Sequence, residues 1–184
     1  TKNQRAIALF GPRYIQTSAF SSDGAWLATS GPVCDGLWCI FAYPTESPED
    51  WALTKLASQL PILSLAFGLD GRLFAGTQDG RIGVWDPVND ELVHPFTLHH
   101  GSEVFTVAPL NEDQFVSVSR QQIKVHSADG SLLRTVTVED TRLDKLAGIP
   151  TDNTLAFTTI DRGIGMLIDG QLSWLHKRDQ LVHS

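Results

Sequence analysis

Short apolar runs of four to eight residues, separated by pairs such as Asp-Gly, set the rhythm of this chain. The clearest stretch reads Ile62 to Phe67, the turn Asp70-Gly71, Arg72 to Thr77, the turn Asp79-Gly80, Arg81 to Asp86, the turn Pro87 to Asp90, and Glu91 to Leu98. Runs of that length, bounded by residues that accept turn conformations, predict four strands joined as a meander. The gaps between runs hold two to five residues, too few for the crossover helices that a parallel sheet needs. One helical candidate remains, Glu49 to Ala57.

The meander repeats. Ile40, Val84, Val125 and Met166, each in the third strand of a unit, are spaced 44, 41 and 41 residues apart. First-strand landmarks Ala19-Phe20, Ala66-Phe67, Val107-Ala108 and Ala147-Gly148 follow intervals of 47, 41 and 40. The first unit reads Ile15 to Phe20, Trp26 to Thr29, Leu37 to Tyr43 and Trp51 to Leu56. The third reads Val104 to Ala108, Gln114 to Ser119, Gln122 to Ser127 and Leu132 to Val138. The fourth reads Leu143 to Ile149, Thr154 to Thr159, Gly163 to Ile168 and Gln171 to His176. A four-stranded sheet repeated at this period buries both faces only by stacking on its neighbours, which is the arrangement of a β-propeller. The expected fold is all-β: four consecutive four-stranded antiparallel sheets, with blades at 14–57, 61–98, 103–139 and 142–176. Residues 5–10 read as the outer strand of a preceding blade, and Leu181-Val182 as the start of another unit.

Within this frame the sequence resembles the WD-repeat β-propeller family. The resemblance rests on Ala66-Phe67-Gly68-Leu69-Asp70-Gly71, Ala75-Gly76-Thr77-Gln78-Asp79-Gly80 and Ile82-Gly83-Val84-Trp85-Asp86, with a weaker echo in Ala19 to Gly24 and Leu27 to Ser30. Units three and four keep the period but carry His126-Ser127 and Leu167-Ile168 where Trp-Asp is expected. Members of that family often link a turn Asp, a strand Ser or Thr, a strand Trp and a preceding His by hydrogen bonds. The resemblance assigns Asp79, Thr77 and Trp85 to three of those places, with Ser58 near the fourth; His99 or His100 takes the His place before unit three, where Arg120-Gln121 replaces the turn Asp. The family closes with seven or eight blades, about 280 to 330 residues at this period. Four blades therefore imply part of a larger ring, and a protein partner or second chain that covers the open sheet faces.

Composition changes little in this picture. Twelve Val, 10 Ile and 15 Thr among 184 residues favour strands. The net charge of −7 offers no basic footprint for nucleic acid or an anionic membrane, and no stretch reaches the 18 apolar residues of a spanning helix. Cys34 and Cys39 are too few for a disulfide framework; with no leader segment, the expectation is a reduced, cytoplasmic setting.

Candidate chemistry is sparse. Asp23, Asp70, Asp79, Asp129 and Asp169 each precede Gly, and turn formation accounts for all five. The adjacent His99 and His100 point oppositely on an extended strand, which disfavours joint metal ligation. No catalytic residue, metal or cofactor is assigned. Trp51, beside the acidic insertion Glu46 to Asp50, is a candidate interaction residue, as are Arg81, Arg120 and Arg162 on inter-strand turns. The expected function is a non-catalytic protein-interaction scaffold or sensor in a larger regulatory or signalling assembly, and therefore oligomeric. The alternative is a propeller enzyme or small-ligand sensor whose central-channel site is completed by another chain.

Overall fold

Asp-Gly turns punctuate the backbone where the sequence places them. In the computed structural model, which describes residues 15–32, 37–46, 54–139, 141–149, 154–161, 163–168 and 171–176, the turn glycines adopt left-handed conformations, for example Gly80 at φ 92° and Gly130 at φ 96°. The preceding carboxylates hold these turns by accepting the backbone N–H two residues on: Ala25 to Asp23 at 2.9 Å, Arg72 to Asp70 at 3.1 Å and Ser131 to Asp129 at 3.0 Å.

Sixteen strands result among the described residues. The first blade contains β1 (Thr17–Phe20), β2 (Trp26–Pro32), β3 (Trp38–Pro44) and β4 (Thr54–Ser58), in that spatial order. The second contains β5 (Ile62–Phe67), β6 (Leu73–Thr77), β7 (Arg81–Asp86) and β8 (Glu91–Leu98). The third contains β9 (Thr106–Pro109), β10 (Gln114–Val118), β11 (Gln122–Ser127) and β12 (Leu132–Thr137). The fourth contains β13 (Leu143–Ile149), β14 (Thr154–Thr159), β15 (Ile164–Ile168) and β16 (Gln171–His176). Every neighbouring pair is antiparallel and consecutive. The helical candidate is overturned where it is described, because residues 54–58 form β4; the expected strand start at Trp51 lies outside the described residues. The strand expected at 5–10 and the pair Leu181-Val182 lie outside the described residues.

Register sharpens the repeat and corrects two alignments. Leu73 pairs with Trp85, as Leu27 does with Tyr43, Phe115 with His126 and Leu155 with Leu167. Tyr43, not Phe41, is thus the counterpart of Trp85, and the partner of Val84 in the first blade is Ala42, not Ile40. Likewise Pro109 pairs with Phe115 where Phe67 pairs with Leu73, so Ala108-Pro109, not Val107-Ala108, matches Ala66-Phe67. With these corrections, Ile40, Ile82, Ile123 and Ile164 become equivalent, spaced 42, 41 and 41 residues apart.

The blades stack in series through their first strands: β1 packs on β5, β5 on β9 and β9 on β13. Each joint has its own apolar filling. Ala28, Ile40 and Ala42 of blade one meet Ile62, Leu65 and Trp85 of blade two. Phe74, Ile82 and Val84 meet Val104, Val107 and Phe115. Val116, Val118, Ile123 and Val125 meet Leu155, Phe157 and Leu167. Alternate residues of each strand serve opposite joints, so each sheet is apolar on both faces. Ile40, Ile82 and Ile123 are all 0% exposed, whereas Ile164 is 42% exposed because no sheet packs on that face among the described residues.

Candidate functional site

In blade two the residues assigned to a Thr–Asp–Trp network divide into two parts. The Thr77 hydroxyl donates to Asp79 Oδ1 at 2.6 Å and accepts the Arg81 N–H at 2.9 Å, while Arg81 Nε donates to Asp79 Oδ2 at 2.8 Å. This clamp closes the β6–β7 turn. Burial works to raise the Asp79 pKa, but the Thr77 and Arg81 hydrogen bonds and the Arg81 charge together hold it below the usual carboxylate range. Trp85 takes no part, and no hydrogen bond joins it to Thr77 or Asp79 among the described residues. It is buried among Leu73, Ala75 and Ile62 as a packing post between blades one and two. The reason lies in register: Leu73 pairs with Trp85 and Ala75 with Gly83, so the diagonal neighbour of Trp85 on this face is Ala75, not Thr77, and alanine has no side-chain group to accept the indole N–H. Ser58, near the expected His place, caps its own loop through Leu60.

Blade three assembles a linked network from different residues. Ser117 is the counterpart of Ala75, and His126 of Trp85. The Ser117 hydroxyl lies 2.7 Å from His100 Nε2 and 2.7 Å from His126 Nε2, and all three residues are buried. One hydroxyl bridging two imidazoles donates to one ring and accepts from the other, so the neutral rings carry their protons on opposite nitrogens. Both Nδ1 atoms lack hydrogen-bond partners among the described residues. His100 therefore fills the expected His place, and a histidine stands in for the tryptophan. The sequence signal for this relay was the 41-residue step from Trp85 to His126, whose meaning depends on placing Ser117 opposite Ala75.

Aromatic rings extend the relay into the joint between blades two and three. His126 stacks on Phe115 with centroids 4.8 Å apart, and Phe115 stacks on Phe74 of blade two at 4.0 Å. His99 meets His126 edge-on at 5.0 Å, and Thr97 bridges His99 and His94 at 2.9 and 2.8 Å. Lys124 donates to the His99 carbonyl. Burial, reinforced by the neighbouring Lys124 and His99 charges, pushes His100 down to about 4. Burial and the other two histidines push His126 down to about 3. Neutral imidazoles are what the geometry requires, since a second proton would aim two N–H groups at one hydroxyl oxygen and leave its own proton without an acceptor.

The remaining candidates do not converge with the relay. Arg81 is committed to Asp79, and Arg120 pairs with Glu103 at 2.9 Å. Trp51 and Arg162 lie outside the described residues. Cys39 is buried, and Cys34 lies outside the described residues. Among the described residues no group of three His, Cys, Asp or Glu side chains is placed to hold a metal ion.

Sequential meanders stacked through their first strands, with the Trp85 position repeated in each sheet, are blades of a β-propeller. Residues 53–86 match the family model described as "WD domain, G-beta repeat". The chain is similar to the crystal structure of the RRP9 WD40 repeats, with a TM-score of 0.76 and 16% identity over 91% of this chain and 53% of that one. It is also similar to the structure of U3-55K, with a TM-score of 0.73 and 17% identity over 92% of this chain and 54% of that one. The chain has the WD-repeat propeller fold and spans about half the length of these structures. No curated protein matches it in sequence.

Proposed function

We propose that this chain is a non-catalytic scaffold for protein assembly, whose open fourth blade is covered by a protein partner or second chain that completes the propeller. The observation that carries this reading is the exposure of Ile164. Its three counterparts are fully buried in their joints, and Ile168 beside it is equally open at 42%. Blade four thus presents the same apolar face that Ile82 and Ile123 bury elsewhere. The polar side chains of the interior support the same conclusion from the other direction. Asp79 clamps a turn, and His100, Ser117 and His126 satisfy one another, so none of them is disposed towards a substrate.

Sedimentation of the chain across micromolar concentrations tests the proposal. The expected result is concentration-dependent association that Ile164→Asp abolishes while the circular dichroism of the strands persists. A single-chain mass at every concentration, with cooperative unfolding that Ile164→Asp leaves unchanged, would overturn it.

A further inference from the structure

The β10–β11 turn of blade three differs from its counterparts in length and in charge. Five residues separate the last ladder pair of blade two, Gly76 with Ile82, and a carboxylate sits among them; the same holds in blade four, where Asp161 lies between Thr158 and Ile164. In blade three only four residues separate Val118 from Ile123, and Arg120 stands where the carboxylate would be. Thr77 and Thr159 each donate a hydrogen bond to that carboxylate. Their counterpart, Ser119, has no such acceptor: it is 3% exposed, and its hydroxyl forms no hydrogen bond among the described residues.

Ser119 opens onto a cleft of about 300 Å³ bounded by Gly101, Ser102, Arg120, Gln122 and Thr137. The Arg120 main chain is anchored, its carbonyl accepting the Leu143 N–H at 2.8 Å. Its side chain is oriented by Nε donating to Glu103 Oε1 at 2.9 Å, and its two Nη groups carry no hydrogen bond among the described residues. Burial raises the Glu103 pKa, but Arg120 and Arg142 more than offset it, so this carboxylate stays ionised. Arg120 is the one charged side chain among the residues that line the cleft, in a chain whose net charge is −7.

We propose that this cleft binds the carboxylate of an aspartate or glutamate side chain presented by a partner protein, with Arg120 Nη and the Ser119 hydroxyl as donors. The inference rests on the assembly-scaffold reading and adds the chemistry of one contact. A planar carboxylate matches the paired N–H groups on the free Nη edge of the Arg120 guanidinium. A phosphate dianion would bring a second negative charge against Glu103.

The test is an NMR titration of the ¹⁵N-labelled chain with N-acetyl-glutamate N-methylamide, its glutamine analogue and inorganic phosphate. Saturable shifts confined to the amides of residues 101–102 and 119–122 are expected with the glutamate probe, and not with the glutamine one. Arg120→Gln should weaken binding at least about tenfold, and Ser119→Ala about threefold, with the rest of the spectrum unchanged. The proposal is overturned by absent or non-saturable shifts, by equal response to the glutamine analogue, by tighter binding of phosphate, or by an unaltered affinity in Arg120→Gln. The probe is small and the readout local, so failure here leaves the Ile164 association result standing, and the reverse.

Discussion

Acid should loosen this protein well before its carboxylates titrate, and the relay of blade three sets the size of the effect. His100 and His126 titrate near 6.5 in an unfolded chain, but burial and the neighbouring histidine and Lys124 charges hold them at about 4 and about 3 in the fold. Between those limits the unfolded chain binds more protons than the folded one, so stability is complete above about pH 7 and falls as pH drops towards the folded values. From about pH 7.5 to about pH 5 the unfolded form of each histidine gains roughly 2 kcal/mol from protonation, and the folded form gains almost nothing. The two together cost about 4 kcal/mol, a figure that holds for any folded pKa below about 4.5. His99, also depressed by burial and by the His94 and Lys124 charges, acts in the same direction. Urea unfolding followed by tryptophan fluorescence should show the midpoint falling by roughly 2 M across this interval. His126→Phe keeps a ring on Phe115 and leaves Ser117 bonded to His100, so about half of the pH dependence should vanish. Equal midpoints at the two pH values, or a full dependence surviving in His126→Phe, would refute the account.

Two other substitutions probe the joints. Trp85→Ala empties the core between blades one and two and should cost about 3–5 kcal/mol in urea unfolding. Gly80→Ala forces a side chain into a backbone at φ 92°, with its Cβ 2.2 Å from the His100 carbonyl oxygen. The Gly80 carbonyl also accepts the His99 and His100 N–H groups at 3.1 and 3.0 Å, so the blade two–three connection must shift. A loss of at least about 2 kcal/mol is expected, with amide shifts centred on residues 99–104.

Much of this architecture is legible in the residue pattern, and the places where it is not depend on strand register. Strand existence, the period and the Asp-Gly turns follow from local chemistry. The alignment of β3 did not, because sliding a strand by two residues leaves every side chain on its original face. Phe41 and Tyr43 are both buried and aromatic, so hydrophobicity cannot choose between them as the mate of Trp85; the Leu27–Tyr43 ladder pair does. The relay was hidden for the same reason. Thr77 looks like a network member beside Asp79, but the polar position that faces the next strand lies two residues earlier, at Ala75 and Ser117. The cleft at Ser119 depends on a turn one residue shorter than its relatives, which matters only once the ladder pairs on either side are known.

The two ends of the stack are not alike. Cys39, Phe41 and Tyr43 on the far side of blade one are at most 5% exposed, whereas Ile164 and Ile168 on the far side of blade four are wet. Local opening should therefore run as a gradient along the chain, with amides of β14 and β15 exchanging their hydrogens ahead of those in β6 and β10. Whatever settles on blade four would act as a stopper against fraying, slowing exchange several blades away from where it touches.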